Sequence, residues 1–178
     1  MTERQSDIRD ELLVMDAQDG DARAMDELVH RWQKRLWAHA YRMVRDEEGA
    51  WDVMQQSWLG IVRGLRSLHD PASFRAWAYR IVTNMAARWV NQRAKLGEQI
   101  DIDKIEVRQK QRNDESGIEE LMQKLDADRR MVLGLFYFDE LSVSEISHVL
   151  DVPAGTVKSR LYSAREELRR LWEESLAR

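Results

Sequence analysis

Cysteine is absent from this chain of 178 residues, and only two prolines and eight glycines interrupt it. Without cysteine there can be no disulfide and no cysteine-ligated zinc. The four histidines are scattered, with no pair at metal-ligand spacing, so neither a metal nor another cofactor is expected. No apolar run approaches the roughly 20 residues needed to span a membrane. The N-terminus is acidic and lacks the apolar core of a signal peptide. The expectation is a soluble cytoplasmic protein with no membrane insertion. Alternating β-branched runs are missing too, whereas Leu, Met, Ala, Arg, Glu and Gln dominate. That composition favours helix by propensity and by pattern, and with 43% hydrophobic residues a true core can form. The fold class expected is all-α.

One absence is local. The net charge is −4, yet no acidic residue occurs from Pro71 to Gly97, where Arg75, Arg80, Arg88, Arg93 and Lys95 lie. Residues 1–30, by contrast, hold nine acidic and three basic side chains. Fields decay within about 8 Å at physiological salt, so the local patch matters more than the total. Aromatic residues recur through the same stretch at Phe74, Trp77, Tyr79 and Trp89. A partner of negative charge is implied, with plain solvation as the alternative.

Apolar spacing predicts a short helix within Glu11–Met25, broken by the turn-like Asp19-Gly20-Asp21, after a frayed stretch at 1–10. A long amphipathic helix follows over 24–44, with Leu28, Trp32, Leu36, Ala40 and Met43 in step. A second runs from Glu48 to Leu65, with Trp51, Met54, Trp58, Ile61, Val62 and Leu65 on its inner side. His69-Asp70-Pro71 signals a loop, after which Ser73 can cap a helix to Lys95. There Trp77, Ile81, Met85 and Trp89, with Phe74, Ala78 and Val82, form the packed side. Arg80, Thr83, Asn84, Ala87, Arg88 and Asn91 form the other face. Arg and Asn are residues that pair with guanine, phosphate and adenine, and an aromatic-rich loop can hold an unstacked base.

Residues 96–117 are polar and mixed in charge, and they read as a linker between two small helical domains, 1–95 and 118–178. From Ile118 apolar periodicity resumes, and two shorter helices follow, separated by residues 150–155. The stretch 142–172 has the spacing of a helix-turn-helix. Ser142 and Glu145 suit a capping box, Ile146, Val149 and Leu150 an inner face, and Asp151 to Ala154 the connection. Val157, Leu161 and Leu168 then face inward. Outward lie Lys158, Ser159, Tyr162 and Ser163, positions that reach base edges in such motifs. Thr156, Arg160 and Arg165 suit phosphates. A plain helical hairpin with solvated charges is the alternative.

Taken in order, these segments resemble a bacterial RNA polymerase sigma factor of the extracytoplasmic-function (ECF) type. Asp52, Val53, Gln55 and Trp58 match the core of the polymerase-binding segment. Trp77, Tyr79, Arg80, Ile81 and Asn84 match the segment that opens and reads the −10 promoter element, and residues 152–170 resemble the −35-reading helix. The resemblance covers roughly residues 12–95 and 118–172. It implies a transcription initiation factor that binds core RNA polymerase, directs it to promoter DNA and assists melting. Asp52, Gln55, Gln56 and Leu59 are then contacts to a coiled coil of the polymerase clamp. Phe74, Arg80, Thr83, Asn84, Arg88 and Asn91 form the −10 site, and the loop Leu68 to Phe74 lines a pocket for a flipped base. Thr156, Lys158, Ser159, Arg160, Tyr162, Ser163 and Arg165 form the −35 site. The linker would thread through polymerase, and an anti-sigma factor is a further partner that such proteins often have. Arg88 departs from the family, in which an acid or amide is common four positions after the Asn. Trp37, Trp51 and Trp58 are larger than, or different from, the residues expected there.

Catalytic residues are not expected: Glu47, Glu48, Asp101 and Asp103 are scattered, with no base, nucleophile or metal cluster beside them. Two other readings compete. A dimeric helix-turn-helix regulator leaves the first domain unexplained, and a sigma-like decoy for an inhibitor should have lost its basic faces.

Overall fold

The computed structural model describes residues 3–95 and 116–176. Contacts divide the chain into two compact units, Met1–Ile102 and Asp103–Arg178. Among the described residues every regular element is helical. The linker expected at 96–117 lies outside them, except for Ser116 and Gly117, which open a helix.

The first unit holds four helices: α1 (Glu3–Gln18), α2 (Ala22–Val44), α3 (Glu47–Gly64) and α4 (Phe74–Lys95). Helix α1 starts at Glu3, so residues 3–10, expected to be frayed, are helical, and residues 1 and 2 lie outside the described residues. Val14 is fully buried in it, and Asp10 pairs with Arg31 of α2 at 2.6 Å. Gly20, at φ 99°, makes the turn, and Asp21 caps α2 by accepting from the Arg23 N–H at 2.8 Å. Ala24, Leu28, Trp32, Leu36, Ala40 and Val44 are a buried stripe of α2 at steps of four. Arg45 ends it in the left-handed conformation, its N–H donating to the Tyr41 carbonyl at 2.8 Å.

The phase of α3 differs from expectation. Met54, Ile61 and Leu65 are buried, but Trp51 and Val62 are about half exposed, at 50% and 54%. The buried face is completed instead by Gly49, Ala50, Val53 and Ser57. A pattern built on large apolar residues passes over these small ones. The Ser57 hydroxyl is satisfied by the Val53 carbonyl at 2.7 Å.

The reason lies in α4, which presents two adjacent rows. Phe74, Ala78, Val82 and Ala86 go into the core. Trp77, Ile81 and Trp89 are half-buried and cover glycines of α3 in antiparallel order. A Cβ built on Gly49 would lie 2.2 Å from the Trp89 ring, one on Gly64 would lie 2.9 Å from the Trp77 ring, and one on Gly60 would lie 3.5 Å from Ile81. Two 3₁₀ turns, Leu65–Ser67 and Pro71–Ser73, join α3 to α4. Asp70, not Ser73, does the capping there, accepting from Ala72 N–H at 3.1 Å, while the Ser73 hydroxyl donates to the Asp70 carbonyl at 2.6 Å.

The second unit contains α5 (Ser116–Gln123), α6 (Ala127–Leu133), a wide turn over Gly134–Phe138, α7 (Val143–Leu150) and α8 (Ala154–Leu176). Its core is Leu121, Leu125, Val132, Leu133, Leu135, Leu141, Ile146, Val149, Val157, Leu161 and Ala164. The Ser142–Glu145 capping box forms with both bonds present, at 3.2 and 2.8 Å. Asp151 turns the chain at φ 55°, and the Ser147 hydroxyl ties the turn to the Val152 carbonyl at 2.6 Å. Leu150 and Leu168 are only half-buried. Helix α8 is 23 residues long, not short as the spacing suggested.

Gly49→Ala should lower stability by about 1–3 kcal/mol through overpacking against Trp89, although alanine is the better helix former. Urea unfolding followed by tryptophan fluorescence measures it, and an unchanged or raised midpoint would refute the close-approach role.

Candidate nucleic-acid interface

Three surfaces carry the residues singled out in the sequence. On α3, Asp52, Gln55, Gln56 and Leu59 are all exposed and lie along one stripe, Leu59 at 46%. Trp51 and Val62 extend it, so polar groups alternate with exposed apolar area, as in the core and rim of protein interfaces. Trp58 turns away from the stripe, its indole N–H donating to the Gln33 side chain of α2.

On α4 the expected reading face is narrower than the spacing suggested. Asn84, Arg88 and Asn91 are exposed and Arg80 is half-buried. Phe74, at 1% exposure, is a core residue, with Trp32 edge-on at 5.9 Å. Thr83 is buried as well, at 8%, with its hydroxyl 2.9 Å from His39 Nε2 of α2. Neither side chain stands on the surface with Asn84. Helical spacing placed Thr83 outward with Arg80 and Asn84; a buried histidine on another helix, His39, brings it inward. Nothing in the local spacing marks that pairing. His39 also packs edge-on against Tyr79 at 5.1 Å. Arg93 lies over the Trp89 ring at 4.5 Å and pairs with Asp46 at 3.6 Å.

On α8, Lys158, Ser159 and Tyr162 are exposed, Tyr162 at 68%. Thr156 is half-buried near the helix start. The other three candidates are engaged within their own unit. Arg160 pairs with Asp128 of α6 at 2.7 Å. Arg165 donates from Nε to the Tyr137 hydroxyl at 2.9 Å and lies over the Phe136 and Tyr137 rings at 5.2 and 5.6 Å. Ser163 donates to the Arg160 carbonyl at 3.1 Å and accepts from Arg129 Nε at 3.4 Å. Arg129 also pairs with Glu167 of α8. The partners Asp128, Arg129 and Tyr137 are distant in sequence and carry no motif, so the sequence does not reveal them.

Among the described residues no three His, Asp or Glu side chains gather to hold a metal ion, and no helix is long and apolar enough to cross a membrane. A carboxylate-free basic helix in one unit and a helix-turn-helix in the other define a DNA-binding transcription protein. Residues 28–96 match the family model for sigma-70 region 2, and residues 116–168 match that for sigma-70 region 4. The ECF RNA polymerase sigma-E factor of Salmonella typhimurium is 32% identical over 90% of this chain and 93% of its own. The structure of CnrH in complex with the cytosolic domain of CnrY superposes with a TM-score of 0.71 at 25% identity, covering 93% of this chain and 98% of that one. The sigma factor RpoE of Bartonella quintana, in complex with the anti-sigma factor NepR, shares the fold with a TM-score of 0.68 at 19% identity, over 83% of this chain and 96% of that one. The chain belongs to the sigma-70 family of RNA polymerase sigma factors, within its ECF group.

Thr83→Val keeps the shape and removes the bond to His39. It should cost about 1–3 kcal/mol of stability, read as a lower urea midpoint. A variant as stable as the parent would return Thr83 to the surface-reading set.

Proposed function

We propose that the chain docks on core RNA polymerase through Asp52, Gln55, Gln56 and Leu59, and reads the −10 element through Arg80, Asn84, Arg88 and Asn91. It reads the −35 element through Lys158, Ser159 and Tyr162, with Thr156 beside them. One observation carries this reading: a mixed polar–apolar stripe, a carboxylate-free helix and a helix-turn-helix occur in one sigma-family chain in the order that promoter recognition requires. Asn84 can pair with an adenine edge, and Lys158 can donate to guanine. Arg80 and Arg88 supply phosphate contacts or bidentate contacts. Arg160 and Arg165 reach phosphate only on leaving Asp128 and Tyr137. Residues up to 95 act on polymerase and the −10 element, and those from 118 on the −35 element.

The chain makes and breaks no covalent bond; polymerase does the chemistry. It works in the cytoplasm, where polymerase and promoter meet. An anti-sigma factor is a further partner in this reading, as NepR is of the sigma factor RpoE of Bartonella quintana.

Run-off transcription with purified core polymerase on genomic fragments tests the whole reading. New start sites are expected, and core binding without transcription would favour a decoy. Lys158→Ala should weaken −35 discrimination by about 1–3 kcal/mol; unchanged promoter preference would remove Lys158 from the reading set. Asp52→Ala should weaken core binding about fivefold or more without altering the unfolding midpoint. Titration of labelled protein with core polymerase reads this, and equal affinity would sink the docking assignment.

A further inference from the structure

We propose that Gln18, the last residue of α1, is a positioning residue for the loop between α3 and α4, so that promoter opening depends on a helix outside the region 2 match. That match begins at residue 28, and α1 lies wholly before it. The inference rests on the reading that the loop Leu68 to Phe74 receives a flipped base.

The geometry is specific. Gln18 Nε2 donates to the Leu65 carbonyl at 2.9 Å and to the Leu68 carbonyl at 2.7 Å, from 47 and 50 residues away. Both acceptors are carbonyls, so the amide can face only one way and both its N–H bonds are used. Leu65 and Leu68 bracket the turn by which the chain leaves α3, where carbonyls lose their helical partners.

The other bonds of this loop are local. Leu68 N–H donates to the Leu65 carbonyl at 3.0 Å, the Ser67 hydroxyl to Gly64 at 2.7 Å, and the Ser73 hydroxyl to Asp70 at 2.6 Å. They shape the loop but do not place it. Its two ends are anchored by Leu65 and Phe74, both buried. Between them Arg66, Ser67, His69, Asp70 and Ala72 are exposed, and Leu68 is half-buried. The turn at Pro71–Ser73 also packs against α1, and the Gln18 amide adds a directional tie from that same helix to the stretch before it. Helix α1 is a firm base for it, held on α2 by buried Val14, by Asp10 with Arg31 and by Arg9 with Glu27.

Opening of a duplex requires a preformed pocket that captures a base as it leaves the stack. A loop free to shift lowers the fraction of time that pocket exists, and apparent capture falls by the same fraction. A template already opened from the −10 element to the start site is less sensitive, because its base is not competing with stacking.

The experiment uses the full chain with core polymerase. Gln18→Met keeps the length and removes both donors; Gln18→Glu keeps the shape and presents oxygens to two carbonyls. Run-off transcription is compared on a duplex promoter and on the same promoter with a non-complementary opened region. Both variants should lose about tenfold on duplex DNA and stay within about twofold on the opened template, with core affinity as in the parent and an unfolding midpoint that still leaves the chain folded at the assay temperature. Undiminished output on duplex, or the same fractional loss on both templates, would overturn the proposal. Asp70→Ala, inside the loop, separates the two layers. If it lowers duplex output and the Gln18 variants do not, the positioning role fails alone. If neither does, the reading of the loop fails with it.

Discussion

The contact between α3 and α4 governs the first unit. Gly49, Gly60 and Gly64 present backbone where other helices present side chains, and Trp89, Ile81 and Trp77 settle over them. Glycine inside a helix costs about 1 kcal/mol relative to alanine. At Gly49 and Gly64 the cost is offset because tryptophan rings pack against bare backbone, with dispersion contacts that a Cβ would displace, whereas a Cβ on Gly60 would make only ordinary contact with Ile81. This close approach sets the rotation of both helices at once. It turns Asp52, Gln55 and Leu59 outward on α3 and Asn84, Arg88 and Asn91 outward on α4. The proposed polymerase stripe and the proposed −10 face are thus two consequences of one packing interface.

Much of this was legible from residue order. Helix α2, the capping box at Ser142 and the inward Val157 and Leu161 follow directly from spacing and side-chain chemistry. The acid-free window foretold the basic helix. What failed did so for identifiable reasons. Trp51 and Val62 were expected inside because they are large and apolar, but the inner face of α3 is made of small residues that such counting ignores. Thr83 was expected outside by its helical spacing, and a buried histidine takes it inward; Phe74 was read both as packed by spacing and as part of the −10 set by resemblance, and the aromatic core keeps it on the packed side. The partners of Arg160 and Arg165 come from elements more than 25 residues away in the chain, beyond the reach of any local pattern.

The two helices proposed to face DNA are held by different physics. Helix α4 is fixed by close packing and a buried polar bond, so its exposed amides stand on a stiff base. Helix α8 is held by an apolar row, Val157, Leu161 and Ala164, and by charged and aromatic side chains of its own unit that grip its flanks. Such pre-ordering reduces the side-chain entropy lost on binding.

The pairing of Arg160 with Asp128 bears on ionic strength. A cation that meets DNA from free solution displaces condensed counterions, and each phosphate so neutralised contributes about −0.9 to the slope of log affinity against log salt for duplex DNA. Arg160 arrives already neutralised. To bind a phosphate it must exchange one anion for another, and Asp128 is then left to collect a cation from the medium. The uptake at the carboxylate offsets the release at the phosphate. In the proposed −35 contact, Arg160 would therefore add less to the salt dependence of binding than an exposed cation such as Lys158.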